Sequence, residues 1–181
     1  MSSIRLLILG VMLRKQPIHG YDVRRELELW DADRWANIAY GSIYSALNKM
    51  AEDGLVQPVS PEQHARTART EYVVTERGKG EFERLLREYW WEPKPIIDPF
   101  QVALTFMDSM PRDELLAALR YRADQRRAFL SSVDYIVAGK TAPPHGQRHY
   151  AENIRLLAAH LETELRWLEE AIARVERGEL P

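Results

Sequence analysis

At Gly54 the spacing of apolar residues in this chain changes, and few folds accommodate both sides of the change. Before it, in residues 41–53, Ile43, Leu47 and Met50 recur at four- and three-residue steps, which is one face of a helix. After it, residues 55–59 and 70–74 are short runs rich in Val, with Leu55 and Tyr72, and read as strands. Gly54 suits the left-handed position that ends a helix. Between the strands, residues 60–69 form a polar tip with Arg66, Thr67, Arg69 and a single Glu. A helix running straight into two strands joined by a basic tip has the outline of a wing.

The helix itself has a second face. Ser42, Tyr44, Ser45, Asn48 and Lys49 point away from the apolar stripe, and no acid interrupts them until Glu52 in the last turn. Such a face can lie in a DNA major groove, with Ser and Asn reaching base edges and Lys a phosphate. An ordinary solvated helix face has the same composition, so it is the wing behind it that turns the reading toward DNA. The wing arginines would then sit at the phosphate backbone or in a minor groove.

Two helices are expected upstream. Residues 3–14 are apolar on most sides, which implies more than one packing neighbour: the rest of the domain, and a second subunit. Residues 19–30 form a shorter helix with Tyr21, Val23, Leu27 and Trp30 toward the core, followed by a linker at 31–40. Downstream, Thr75 caps a helix over 76–91 with Phe82, Leu85, Leu86 and Tyr89 on one face. Pro93 and Pro95 then forbid helix continuation and stiffen the chain. The boundary divides an N-terminal domain, 1–91, from a C-terminal one, 92–181.

The second half is helical throughout. Asp98-Pro99 opens a short helix, and a longer one is expected over about 112–138 with Leu116, Leu119, Ala123, Leu130, Val133 and Val137 along a stripe that Arg126 interrupts. The last helix, about 148–177, carries Ile154, Ala158, Leu161, Leu165, Leu168, Ile172 and Val175 at alternating four- and three-residue steps. That heptad seam can pack within the chain or against a second copy, and dimerisation is the expectation.

Several motifs sit at ordered positions in the first half: Leu7-Ile8-Leu9-Gly10, His19-Gly20-Tyr21-Asp22, Gly41-Ser42-Ile43-Tyr44 with Leu47, Gly54-Leu55-Val56 and Thr75-Glu76-Arg77-Gly78. In this order they resemble the PadR family of transcriptional regulators. The resemblance implies a mainly α fold, an N-terminal winged helix–turn–helix with a two-stranded wing, and an all-helical C-terminal dimerisation domain. It also implies a homodimer that binds an inverted-repeat operator in double-stranded DNA, most often as a repressor. It places Tyr21, Ser42, Tyr44, Asn48 and Lys49 near DNA with Arg66 and Arg69 on the wing. Some relatives release DNA on binding a small aromatic or multidrug-like ligand. The resemblance carries no effector site onto this chain.

Composition narrows the alternatives. The formal net charge is −2, so any DNA contact must come from a local patch rather than a basic molecule. There is no cysteine, which excludes disulfides and thiolate metal sites and fits a reducing cytoplasm. No apolar run reaches membrane-spanning length. The N-terminal apolar stretch holds Arg5 and leads into Arg14-Lys15, unlike a signal peptide. His145 and His149 are four apart, but Pro143, Pro144 and Gly146 argue for a loop, and no metal or cofactor is expected. No nucleophile-elbow or phosphate-loop pattern occurs, so no catalytic residues are assigned and an enzyme is not expected. Trp90 and Trp91, beside the proline boundary, either wall a pocket for a flat hydrophobic ligand or pack between the two halves. The rival from another class is a winged helix that docks onto protein without touching DNA.

Overall fold

A computed structural model describes residues 2–36, 38–59, 70–95, 97–142 and 148–181. The chain divides into two compact units, Met1–Lys94 and Pro95–Pro181.

The first unit is built on α1 (Ser2–Lys15). Ile8, Leu9, Val11 and Met12 are fully buried in its core. The nearly all-round apolar character of this helix has its cause within the unit. It packs on α2 (Gly20–Leu29), α4 (Ser42–Glu52), α5 (Glu76–Trp91) and the strand β3 (Glu71–Val74) at once. Gly10 eases the approach of α5, because a Cβ there would stand 3.3 Å from the Phe82 ring.

Three strands form one antiparallel sheet in the order β1–β3–β2, with β1 at Ile18–His19 and β2 at Val56–Pro58. The wing strands pair as Val56 with Val74, Gln57 with Val73 and Pro58 with Tyr72. On the other side of β3, Ile18 pairs with Tyr72 and His19 with Glu71. The β1 strand is an addition to the sequence expectation, which ends the first helix at Gln16-Pro17 and assigns His19 to the next one. The Gln16 side chain completes the edge, its Oε1 accepting from the Val74 amide at 2.8 Å.

The expected linker at 31–40 contains a one-turn helix, α3 (Ala32–Ala36). It is pinned by Trp35, whose indole donates to the Trp30 carbonyl at 3.0 Å, and by Tyr40, which donates to Asp33 at 2.7 Å. Burial, reinforced by that bond to Asp33, pushes the Tyr40 phenol up to about 12. Tyr21 departs from its expected inward position and is 57% exposed, whereas Val23 and Leu27 fill the core side of α2.

The second unit is all helical: α6 (Pro99–Thr105), a 3-10 turn, α7 (Arg112–Leu130), α8 (Val133–Thr141), a second 3-10 turn and α9 (Glu152–Glu176). Asp98 caps α6 by accepting from the Phe100 amide at 2.9 Å. The single helix expected over 112–138 is two. Ser131 and Ser132 turn their hydroxyls back onto the carbonyls of Ala128 and Phe129, at 2.8 and 2.7 Å, where the α7 ladder stops. Leu119 and Ala123 of the expected stripe are buried, but its first member is Leu115 rather than Leu116, which is only half-buried.

Helices α7 and α9 run antiparallel, so the first residue of one meets the end of the other. Arg112 donates to the carbonyls of Val175 and Glu176 at 2.8 and 2.9 Å, adding its positive charge to the α9 C-terminus, where the Val175 carbonyl also accepts the Gly178 amide at 3.0 Å. Arg126 falls toward the stripe because Glu164 of α9 receives it, Nε to Oε2 at 2.8 Å, together with Arg122 at 2.5 Å. Burial favours the neutral form of Glu164, but bonds from Arg126 and Arg122 outweigh it and hold the carboxyl below its usual range. Arg122 also lies 3.8 Å over the Phe100 ring, which meets Trp167 edge-on at 6.0 Å. Much of the heptad seam is consumed inside the chain: Leu168 and Val175 pack on Leu115, Leu119 and Ala123, with Leu165 and Ile172 against the same cluster. Ile154 and Ala158 are buried, and Leu161, Leu165 and Ile172 are half-buried.

Candidate nucleic-acid interface

Helix α4 is held from beneath by Ile43, Leu47 and Met50, all nearly fully buried. Its end is fixed by two bonds around Gly54 at φ 69°: Gly54 N–H to the Ala51 carbonyl at 3.0 Å and Leu55 N–H to the Met50 carbonyl at 2.8 Å. This is the paired closure that a left-handed glycine permits. It passes the chain directly into β2. The crossing of α2 and α4 depends on Gly20, where a Cβ would lie 3.1 Å from Leu47 and 3.3 Å from Tyr44. The glycines of the His19-Gly20-Tyr21 and Gly54-Leu55-Val56 motifs thus have local steric causes.

With the apolar side fixed, the outward side of α4 is defined. Ser45, Asn48 and Lys49 are exposed, and Ser42 and Tyr44 are half-buried. Ser42 donates its hydroxyl proton to the Ala39 carbonyl at 2.6 Å and Ser45 to the Ser42 carbonyl at 2.8 Å. Their oxygen lone pairs therefore face outward as acceptors, while the Asn48 amide offers both a donor and an acceptor. The first turn of α4 carries no acid, which leaves its amide dipoles favourable to an anion. Lys49 approaches Asp53 at 3.5 Å and Glu52 at 3.8 Å and is 58% exposed. Tyr21 is exposed at the start of α2. The wing strands emerge behind α4 and are extended by the Val59 amide donating to Glu71 at 3.0 Å. Arg66, Thr67 and Arg69 lie outside the described residues.

The junction of wing and α5 is tight. Thr75 caps α5, its Oγ1 accepting from Gly78 N–H at 3.0 Å and donating to the Gly54 carbonyl at 2.8 Å. A Cβ on Gly78 would lie 2.0 Å from the Leu55 carbonyl oxygen. The Thr75–Gly78 pair therefore clamps α5 against the segment that links α4 to the wing.

One group is invisible to sequence spacing. Arg5 of α1 donates to Asp53 at 2.7 Å and stands 3.6 Å from Glu81 of α5. Its partners are 48 and 76 residues distant in the chain, so no local pattern announces them. At the end of α5, Trp90 and Trp91 are 80% and 82% exposed and, with Leu86 and Arg87, line a shallow hollow of about 360 Å³. Among the described residues no three His, Asp or Glu side chains converge as metal ligands, and His145 lies outside them. Among the same residues no helix is long and apolar enough to cross a membrane.

A three-helix core with a wing and a third short strand defines a winged helix–turn–helix. Residues 8–84 match the family model described as the transcriptional regulator PadR-like family. Solved structures agree in fold along nearly the whole length. The PadR of Bacillus subtilis in complex with operator DNA superposes with a TM-score of 0.73 at 21% identity, covering 94% of this chain and 98% of that one. The same protein in complex with p-coumaric acid gives 0.72 at 20%, covering 96% and 99%. The Vibrio cholerae virulence activator AphA gives 0.72 at 20%, covering 96% and 98%. No curated protein sequence matches significantly.

Proposed function

We propose that the chain is a sequence-specific, homodimeric DNA-binding regulator that represses transcription by occluding a promoter. The observation that carries this reading is the outward face of α4, polar and free of acid from Ser42 to Lys49, on a helix fixed by its buried side and followed by a wing. In this reading Ser42, Tyr44, Ser45 and Asn48 meet base edges, and Lys49 and Tyr21 meet the backbone. Arg66, Thr67 and Arg69 of the wing tip hold phosphates. A second copy joins along α9, where Leu161 of the seam is half-buried and lies outside the cluster that takes up Leu165 and Ile172. Two copies of α4 would then enter successive major grooves about 34 Å apart.

The solved relative bound to p-coumaric acid supports a small aromatic effector as the releasing signal. The exposed, apolar Trp90 and Trp91 are the residues of the first unit best suited to stack on such a ring.

Alanine replacements at the two surfaces test the reading. Asn48→Ala or Ser42→Ala relaxes preference at one or two base pairs, by about 1–3 kcal/mol for each lost base contact. Replacing Arg66 and Arg69 together weakens binding to every sequence and lowers the slope of log affinity against log salt by about 2. Variants that keep affinity, preference and slope would remove the reading surface from α4 and the wing.

A further inference from the structure

The C-terminal turn of α4 carries Glu52 and Asp53, which is the wrong end of a helix for acids. Asp53 is stabilised there from outside the helix. Its Oδ2 takes Arg5 Nη2 at 2.7 Å, and both side chains are only about a quarter exposed, at 28% and 27%. Arg5 is in turn steadied by Glu81 at 3.6 Å, and Glu81 is gripped by Arg84 through bonds of 2.8 and 3.1 Å. The other oxygen of Asp53, Oδ1, faces Lys49 at 3.5 Å. The two pairs on one carboxylate therefore differ in kind. The Arg5 pair is short and sheltered. The Lys49 pair is long and exposed, and is the one a phosphate can displace.

From this geometry we infer that Arg5 and Asp53 are positioning residues that set how far Lys49 is available to DNA, an inference that rests on the DNA-binding reading above. Arg5 occupies most of the charge of Asp53, so Lys49 is loosely held and can swing to a backbone phosphate. Without Arg5, Asp53 turns its full charge on Lys49 and holds it back from the backbone. Without Asp53, Lys49 has only Glu52 at 3.8 Å to leave among the described residues. Arg5 thus acts on DNA affinity from a helix that the reading does not place in the groove.

The test is fluorescence anisotropy of the full chain on a labelled mixed-sequence duplex across a salt series, with the melting temperature of each variant measured alongside. Arg5→Gln is expected to weaken binding by about two- to fivefold and to flatten the salt slope toward that of Lys49→Gln, while Asp53→Asn tightens binding by a similar factor. On a Lys49→Gln background, Arg5→Gln is expected to change nothing further, because its effect passes through Lys49. Where Arg5→Gln alone fails to fold, Arg5→Gln with Asp53→Asn removes both charges together and is expected to bind at least as tightly as the native chain. Additive effects of Arg5→Gln and Lys49→Gln, or weaker binding by a normally folded Asp53→Asn variant, would overturn the inference and leave the regulator reading standing. A native chain with no salt-sensitive binding to the duplex would overturn both.

Discussion

Gly78 and Gly80 lie two residues apart in α5, and the structure predicts opposite signs for the same substitution. In a helix, alanine is favoured over glycine by about 1 kcal/mol. At Gly80 nothing lies within 4 Å of the added Cβ, so Gly80→Ala is expected to stabilise the first unit by most of that amount. At Gly78 the Cβ would stand 2.0 Å from the Leu55 carbonyl oxygen and 2.7 Å from Val74 Cγ1. Carbon and oxygen ordinarily come no closer than about 3.3 Å, and the opposing atom is backbone, which cannot rotate away. That carbonyl already accepts the Thr75 amide at 3.0 Å, so moving it breaks the clamp between α5 and the wing. Overpacking of this kind costs about 3 kcal/mol or more, which exceeds the gain in helix preference and leaves a net loss near 2 kcal/mol. For a unit of this size the melting temperature of Gly78→Ala falls by about 10 °C and that of Gly80→Ala rises by a few degrees. Denaturant unfolding followed by tryptophan fluorescence reads both, since Trp30, Trp35, Trp90 and Trp91 lie in the first unit and only Trp167 in the second. Equal shifts for the two variants, or a Gly78→Ala loss below about 0.5 kcal/mol, would refute the close approach and with it the steric reason for the Thr75–Gly78 motif.

Three further predictions follow from single contacts. Thr75→Ala removes the cap on Gly78 N–H and the bond to the Gly54 carbonyl, and should cost about 1 kcal/mol in denaturant unfolding. Gly54→Ala forces a side chain to φ 69° at the end of α4 and should cost about 1–2 kcal/mol by the same assay. Glu164→Gln should destabilise the second unit at neutral pH by about 1–3 kcal/mol. Because the folded carboxyl is held below its ordinary value of 4.5, that contribution is complete above 4.5 and is lost as pH falls through the lower folded value. Helical circular dichroism against denaturant at a series of pH values should show the native and Glu164→Gln curves converging in acid; a gap that widens there would contradict the Arg122–Glu164–Arg126 pairing.

The sequence made the winged architecture legible because its signals are local. The four- and three-residue steps of Ile43, Leu47 and Met50, the switch of period at Gly54 and the Thr75 cap each act over a few residues. What it concealed is either too short or too distant. The two residues of β1 cannot establish an alternation, and Ile18-His19 becomes a strand only because β3 is there to pair with it. The break after Leu130 carries no Pro or Gly; two serines make it by bonding backward, which the same residues need not do in another helix. Arg126 interrupts an apolar stripe with no local reason, because its partner Glu164 comes 38 residues later. The apolar pattern places Tyr21 inward, yet α2 turns Val23 and Leu27 to the core and leaves the ring in solvent. On α4 the periodicity identified which face is free. Only the fold revealed that Asp53 at its end is shared between Lys49 and a guanidinium from α1.

The central claim is that the free face of α4 and the wing read DNA. The most direct measurement is equilibrium binding of the purified chain to the fragment upstream of its own coding sequence and to unrelated DNA, at two salt concentrations. The account predicts submicromolar binding that prefers the upstream fragment and weakens steeply with salt, as release of counterions from several phosphates requires. Weak binding, equal on both fragments and indifferent to salt, would contradict it and favour a winged helix that docks on protein.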